Sequence, residues 1–586
     1  MSNTDGNQQT KFRRKGDLSL FKFREYLPAM LLNNMSTLLL ITVDGLVVGN
    51  LTGSDALAAV SVFTPLTTII GVFTSLVACG ISTSLSTTMG SNEGAKIKQI
   101  KGASFWLMVY MSVLATIIQI PIVWILLKAY RLPDAIYEMT WKYAIGIMIA
   151  TPMGMISTIG ANMLQIAGKM KILAKLTILE GTVNLVLDLL FVGPLHLGSA
   201  GAGMGTAGAN LVRCTTTLIC LLRYTDMLNF RKYKGTFSEH KDILRLGGPD
   251  AVSALVYALQ NYCMMQILLI GFGENGGVIN GVCMFSFSVV NVLITGVLGS
   301  IRPLGGLLAG AGDREGLKIL MRQGALFMAV MIGVATAVVE IFPKVFYSLY
   351  GIGTVPQGGV AAICVFALFF LPYAFSGFFR LFLTNKKDSK YTSRVTIIGN
   401  ITQPVIAFGL LKLLTAPWVY LSLSITAVFM IFLYVRRIKQ LYAIDLKEDN
   451  LNEAVLYMSV RQKEAVDASR EIRKFADEHG IDPKISYRIA LCMEEMVAYI
   501  ESVNEKDIAA QIIVRFRQSG EATFVIMDNG KCISLQNEEE KEKGLSTDNY
   551  VLMQRLAKSV EYQYVQDMNY TILKFALEKT AASVNS

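Results

Sequence analysis

Two aspartates lie inside long apolar stretches of the chain. Asp44 follows Thr42-Val43, and Asp188 lies four residues after Asn184. A charged side chain at the centre of a bilayer costs at least about 2.5 kcal/mol, so such residues usually mark ion or substrate pathways. Because Asn184 and Asp188 are four residues apart, they share one helical face. These carboxylate and amide groups could hold a proton or a small cation such as sodium.

Four other ionisable residues occur in or beside apolar stretches. Glu180 lies one helical turn before Asn184, so it faces either the same pocket or one end of the helix. Asp250 is predicted at the start of a helix, where a carboxylate stabilises the positive helix end. Arg302 and Glu340 are predicted near helix ends, from which long side chains extend to the membrane surface.

The composition predicts a membrane protein with a soluble tail. Hydrophobic residues make up 53% of the 586 residues and charged residues only 17%, with a mean hydropathy of +0.46. Soluble proteins carry about 25% charged residues. Residues 27–435 are poor in charge and residues 440–586 are rich in it, which marks the main domain boundary.

Twelve stretches have the length of about 20 apolar residues that a spanning helix needs. They are 27–48, 56–79, 103–127, 141–165, 172–193, 200–222, 246–271, 278–300, 325–349, 358–383, 395–414 and 416–435. The predicted fold class is an all-α polytopic membrane protein with a C-terminal α+β domain. The predicted segments are 1–26, 27–222 with six helices, 223–245 as a linker, 246–436 with six helices, and 437–586.

Loop charges predict the orientation of the chain. Alternate loops hold about twenty Lys and Arg residues on one side and five on the other. Because basic loops stay in the cytosol, both termini and the tail are predicted there, and the net charge of +10 does not indicate nucleic-acid binding. The polar N-terminus does not resemble a signal peptide. The eight scattered cysteines and three histidines predict no metal site.

The membrane part contains an internal repeat. Gly94-Ala95-Lys96-Ile97 in one loop is matched by Gly316-Leu317-Lys318-Ile319 in another, and Leu27-Pro28 is matched by Gly248-Pro249. Two six-helix halves in the same orientation are typical of transporters, which bind their substrate between the halves.

Several stretches resemble the multidrug and toxic compound extrusion (MATE) family. They are Val43–Gly49, Gly53–Val60, Gly80–Gly90, Asn184–Asp188 and Gly198–Thr206, and the resemblance extends over residues 21–440. It implies a secondary transporter of the bacterial inner membrane that exports organic cations, drugs or metabolites in exchange for protons or sodium. The resemblance also implies that such a transporter needs an ion gradient rather than a bound cofactor.

The same resemblance implies a cation-coupling site in the first six helices. The matching residues are Asp44, Asn184, Asp188 and Thr206, and sodium could bind at the first three. The chain departs from the family at Gly45, where a hydroxyl residue is usual. Alternating access of the two halves is the implied mechanism, in which protonation of the two aspartates releases substrate outward.

The tail has the pattern of an α+β domain. Strands are predicted at 455–460, 512–516, 522–527 and 570–577, and helices at 465–479, 483–501 and 551–560. This order, with Leu491-Cys492-Met493-Glu494-Glu495 and Asp528-Asn529-Gly530, resembles the histidine-kinase-type ATPase fold and most closely the serine kinases that bind sigma factors. The resemblance implies that Glu495, Asp528, Gly530 and Gly544 contact a nucleotide such as ATP.

Two departures argue against enzymatic activity in the tail. Tyr499 occupies the position of a magnesium-holding asparagine, and Ser546-Thr547-Asp548-Asn549 replaces a glycine run. Without glycines, backbone amides approach a phosphate less freely. We therefore predict that the chain is a transporter and not an enzyme. Its tail is predicted to sense a nucleotide or a cytosolic regulatory protein.

Three alternatives remain open at the sequence level, and one of them is an enzyme that acts through the tail. A flippase-like exporter of a lipid-linked or bulky polar substrate would have a large cationic cavity. A signalling protein would keep a defunct transporter core and bind a regulatory protein through its tail. The presence of all four predicted coupling residues argues against a defunct core.

Overall fold

The computed structural model describes residues 18–52, 64–91, 94–129, 134–228, 233–273, 275–350, 352–386, 388–504, 508–517, 520–532 and 547–577. The membrane part consists of α1 (Leu18–Thr52), α2 (Thr64–Ser91), α3 (Gly94–Ala129), α4 (Asp134–Ile166), α5 (Met170–Val192), α6 (Gly198–Tyr224), α7 (Phe237–Phe272), α8 (Asn275–Ala311), α9 (Arg314–Ile341), α10 (Pro343–Leu349), α11 (Gly359–Ala367), α12 (Phe370–Asn385), α13 (Ser389–Leu413) and α14 (Leu421–Asn452). Within the described residues, nine helical segments are long and apolar enough to cross a membrane.

Several helix bounds differ from those expected from hydropathy. Helix α7 begins at Phe237, where Thr236 and Glu239 form a capping box, so Pro249 lies inside the helix rather than at its start. The predicted helix 358–383 is interrupted between Ala367 and Phe370. Helix α14 continues to Asn452, which carries the chain directly into the first strand of the tail.

The first half of the membrane part (α1–α6) contacts the second half (α7–α14) mainly through α2. A Cβ atom on Gly80 would overlap the Ile243 carbonyl of α7, and one on Gly306 or Gly310 of α8 would overlap Ser86 or the Thr87 carbonyl. Glycine at these positions allows backbones to approach closely, as is common between membrane helices.

The tail is a five-stranded antiparallel sheet covered by helices on one face. The strands are β1 (Glu453–Val460), β2 (Ala510–Arg517), β3 (Glu521–Asp528), β4 (Ser559–Val565) and β5 (Met568–Ala576), in the order β1-β2-β3-β5-β4. The helices are α15 (Ala465–Glu478), α16 (Pro483–Val503) and α17 (Thr547–Leu556). An apolar core joins α15 and α16 to alternate residues of the strands, such as Ile512 and Phe524.

One predicted helix of the tail is wrong at its C-terminal end. Residues 551–560 were expected to be helical, but α17 ends at Leu556 and β4 begins at Ser559. The alternation of Val560, Tyr562 and Tyr564 fits a strand, and the two-residue turn Gln566-Asp567 joins it to β5. Both turn residues have positive φ, as a tight hairpin requires.

The second face of the sheet packs against the membrane helices. Ile513, Val525, Met527, Tyr570 and Ile572 belong to the same apolar core as the ends of those helices. We call the end of the membrane part that contacts the tail its tail side. Antiparallel sheets often leave one face in water, whereas β2 and β3 are buried along nearly their whole length.

Candidate functional site

A buried polar row runs along one face of α5. Asn184 Nδ2 donates a hydrogen bond of 2.5 Å to Asp188 Oδ2, and the Asp188 side chain has no exposed surface. The Asp188 carboxylate lies against Gly205 of α6, where a Cβ atom would overlap it. Thr206 is the next residue, and its hydroxyl donates to Ala202 O at 3.0 Å. The α5–α6 contact thus brings together Asn184, Asp188 and the α6 segment that carries Thr206.

Glu180 extends this row towards the tail side. It forms an ion pair of 2.5 Å with Arg213 of α6, and the two side chains are only 8% and 16% exposed. The sequence alone leaves the environment of Glu180 open, and Arg213 was not among the predicted functional residues. A signal was present, because Arg213 is an ionisable residue inside the predicted helix 200–222.

Helix α1 lies alongside the same row. Lys171 Nζ at the start of α5 lies 3.1 Å from Glu25 Oε1 of α1, and Thr177 Oγ1 donates to Asn33 Oδ1 at 2.5 Å. The two helices therefore run in the same direction. Position 44 follows Asn33 by eleven residues, as Asp188 follows Thr177, and eleven residues make about three turns. The backbone at position 44 thus reaches the level of Asp188, although the Asp44 side chain lies outside the described part of the chain.

Removing the Glu180 charge should destabilise the protein. Breaking a buried ion pair by removing one partner costs about 3–5 kcal/mol, whereas apolar replacement of both partners is often nearly neutral. We therefore expect Glu180→Gln to lower the thermal unfolding midpoint in detergent clearly more than the double variant Glu180→Leu/Arg213→Leu. A double variant no more stable than the single one would contradict this account of the pair.

A central cavity of about 530 Å³ lies between the two halves. Residues from α1, α2 and α4 line it on one side, and residues from α7, α8, α12, α13 and α14 line it on the other. Its walls include Tyr257, Tyr373 and Tyr434, which offer aromatic faces. The amide oxygens of Gln260 and Asn291 are buried there and have no hydrogen-bond partner among the described residues. These features suit an organic molecule with hydrogen-bond donors.

Three charged side chains line the cavity among the described residues: Asp250 and Arg302, which were predicted at helix ends, and Arg380, which was counted with the basic loops. Asp250 lies well inside α7 and not at its start, because the helix begins at Phe237. Its carboxylate lies 3.6 Å from Arg380 Nη2 of α12. Arg302 does not extend to a membrane surface but donates to Cys79 Sγ at 3.1 Å. One carboxylate and two guanidinium groups leave the described cavity wall with one excess positive charge.

Of the four tail residues predicted to contact a nucleotide, Asp528 and Gly530 are hydrogen-bonded to each other at the end of β3. Asp528 Oδ1 at the end of β3 accepts hydrogen bonds from Gly530 N at 2.7 Å and from Asn569 Nδ2 at 2.8 Å. Burial raises the pKa of the Asp528 carboxyl above its ordinary value, and these two bonds oppose the shift. Glu495 lies half-buried on α16, and Gly544 lies outside the described residues. Tyr499 is buried in the core beneath the sheet.

The membrane part is similar in sequence to one protein family model and to several known proteins. The family model MatE matches residues 29–190. The probable multidrug resistance protein YoeA of Bacillus subtilis is 24% identical over 56% of this chain and 72% of its own length. The probable multidrug resistance protein NorM of Thermotoga maritima is 23% identical over 56% of this chain and 69% of its own length.

The fold of the membrane part matches that of solved structures. A MOP superfamily transporter from Pyrococcus furiosus, described as having a binding pocket of reverse polarity that suggests a different function, is 19% identical. It superposes on 75% of this chain and 100% of its own with a TM-score of 0.68. The crystal structure of MATE in complex with MaL6 superposes with the same TM-score of 0.68 at 19% identity, so the membrane part has the MATE fold. The family model and the two relatives thus make the membrane part similar to MatE proteins, and both relatives are named as probable multidrug resistance proteins.

Proposed function

We propose that the chain is a secondary active transporter that exports a small molecule by alternating access, with twelve spanning helices in two six-helix halves. The observation that carries this proposal is the separation of two polar sites. The cavity between the halves is the substrate site, and the buried row with Asn184 and Asp188 inside the first half is the site for the driving proton or sodium ion. Asp44 and Thr206 complete that cation site.

The orientation follows from the charged loops. Both termini and the tail lie in the cytosol of a bacterial cell, and the transporter lies in the inner membrane. Export then requires the cavity to open alternately to the cytosol, through the tail side, and to the outside. The tail acts as a regulatory domain. Asp528 is bonded to Asn569 of β5, and the adjacent Tyr570 donates to Gly90 O at the end of α2. A ligand at Asp528, such as a nucleotide, would therefore act on a strand that contacts the transporter.

A second candidate substrate class is favoured by the charge of the cavity. Arg302 and Arg380 outnumber Asp250, and Arg380 already contacts that carboxylate. A cavity with excess positive charge disfavours an organic cation and attracts a carboxylate or phosphate. A flippase-like exporter of a polar or lipid-linked anion fits this charge, and the solved relative described as having reverse pocket polarity offers a parallel.

Transport into proteoliposomes tests the proposal. The purified full-length chain is reconstituted, a pH or sodium gradient is imposed, and uptake is followed for a panel of organic cations and organic anions, with and without ATP. We expect at least one substrate to accumulate against its gradient and the accumulation to collapse with an ionophore for the driving ion. Absence of ion-dependent accumulation across both charge classes would contradict secondary transport.

A further inference from the structure

The tip of the β4–β5 hairpin lies buried between the two halves of the membrane part. Gln566 is 1% exposed, its main-chain oxygen accepts from Tyr26 Oη of α1 at 2.6 Å, and its side chain donates to Pro303 O of α8 at 2.8 Å. Asp567 forms an ion pair of 2.6 Å with Lys169 at the start of α5. One two-residue turn thus contacts α1 and α5 of the first half and α8 of the second.

The fit at this turn is close on the membrane side. Gly168 has a φ of +81°, and a Cβ atom there would lie 2.5 Å from Gln566 Cα. Any other residue would therefore both strain the backbone and push the hairpin away. This glycine allows the loop between α4 and α5 to accept the hairpin tip.

The rest of the sheet face binds the C-terminal ends of two helices that meet across the halves. Tyr570 Oη donates to Gly90 O at 2.7 Å, and Gln563 donates to Met89 O, both at the end of α2. Arg515 Nη2 donates to Ala311 O, the last residue of α8, at 2.5 Å. A cation at a helix C-terminus is favoured by the helix dipole. Arg515 is 7% exposed, so this contact is largely shielded from water.

The same two helices close the tail side of the membrane part. Cys79 of α2 and Arg302 of α8 line the cavity, and beyond them Ser86 meets Gly306 and Gly90 meets Gly310. Opening the cavity towards the tail must separate these pairs. The tail holds both helices at their ends, so it stabilises the closed arrangement.

We infer that the β4–β5 hairpin and the adjoining sheet face act as a bolt, which holds the two halves together on the tail side and must withdraw before the cavity can open there. This inference rests on the proposed function, because the bolt restrains the movement that alternating access requires. It adds a mechanism for the tail, because any ligand or partner that undocks the sheet would allow the cavity to open on the tail side.

Exchange of the Lys169–Asp567 pair tests the bolt without any transported substrate. Ser86 is 1% exposed at the closed contact, so a Ser86→Cys reporter in the full chain is protected from an impermeant maleimide while the tail side is closed. In nanodiscs, we expect Lys169→Glu and Asp567→Lys each to speed labelling of that position about fivefold, and the double exchange to restore protection. Labelling is read by mass spectrometry of the peptide that contains position 86.

A matched control lies in the same turn of α5. Among the described residues, Lys171 forms its ion pair with Glu25 of α1 rather than with the tail, so Lys171→Glu should leave labelling unchanged. Hydrogen exchange of β4 and β5 reports undocking independently. The inference would be overturned if the sheet undocked without faster labelling of position 86. It would also be overturned if Lys171→Glu accelerated that labelling as much as Lys169→Glu does. If Lys169→Glu leaves the hairpin docked, a second variant, Arg515→Glu, is used, because it places a carboxylate against Ala311 O. Failure of both variants to undock the sheet would also overturn the inference. Labelling of position 86 needs no transported substrate. The labelling test can therefore be interpreted even if the transport experiment fails.

Discussion

Replacing Asp188 by asparagine should strongly slow ion-coupled transport while the protein still folds. Asparagine has nearly the same shape, so it fits against Gly205 and still offers an oxygen to Asn184 Nδ2. It carries no charge and cannot exchange a proton. We expect initial rates of gradient-driven transport to fall at least about tenfold, which corresponds to about 1.4 kcal/mol of activation free energy.

The control for this variant is a carboxylate that lies away from the polar row. Glu138 is 69% exposed and pairs with Lys142 on the surface, so Glu138→Gln should transport normally. The double variant Asp44→Asn/Asp188→Asn should match or exceed the loss of the single one. Full gradient-driven transport by the folded double variant would refute the cation site.

Neutralising Arg302 should change which substrates are moved. Arg302→Gln removes the excess positive charge of the described cavity wall and leaves the Asp250–Arg380 pair in place. For an anionic substrate we expect KM to rise about tenfold or more, because a buried charged hydrogen bond is worth about 1.5–3 kcal/mol. For an organic cation we expect the opposite sign, a lower KM. Uptake kinetics in proteoliposomes for one substrate of each charge measure both.

Lysine at the same position separates charge from shape. Arg302→Lys keeps the charge but loses the planar donor group that binds carboxylate or phosphate through two hydrogen bonds. It should therefore lie between the native chain and Arg302→Gln for an anion. Equal KM values for all three proteins with every transported substrate would show that Arg302 does not face the substrate.

Nine of the twelve predicted spanning helices match long apolar helices among the described residues, and these helices and the first polar pair could be predicted because both depend on local sequence. Apolar stretches of sufficient length predict spanning helices, and a spacing of four residues places Asn184 beside Asp188, as the structure confirms. The start of α7 was wrong, because its first turns at Phe237–Gly247 are polar and become helical through the Thr236 capping box rather than through hydrophobicity.

Contacts between distant helices could not be derived from spacing. Asp250 and Arg380 are separated by 130 residues, and Glu180 and Arg213 lie on different helices. Taken alone, Asp250 predicted a helix start and Glu180 an undefined pocket, while Arg380 was counted with the basic loops and Arg213 was not considered. Only packing of α7 against α12 and of α5 against α6 brings the opposite charges together.

The burial of the second face of the tail sheet follows from consecutive apolar residues in its strands. Ile512, Ile513 and Val514 are consecutive apolar residues in an antiparallel strand, a pattern that predicts burial on both faces. Strict alternation would have left every second residue in water. The structure buries one face beneath α15 and α16 and the other against the membrane helices.

The movement of the two halves on the tail side is the central claim, and a distance measurement tests it most directly. Spin labels at Lys175→Cys of α5 and Lys318→Cys of α9 report the separation of the halves by pulsed electron paramagnetic resonance. The measurement is made in the otherwise native chain and in the Lys169→Glu background. We predict two distance populations whose ratio changes with pH or sodium and ceases to change in Asp188→Asn. A single distribution in both backgrounds, unaffected by either ion, would contradict alternating access.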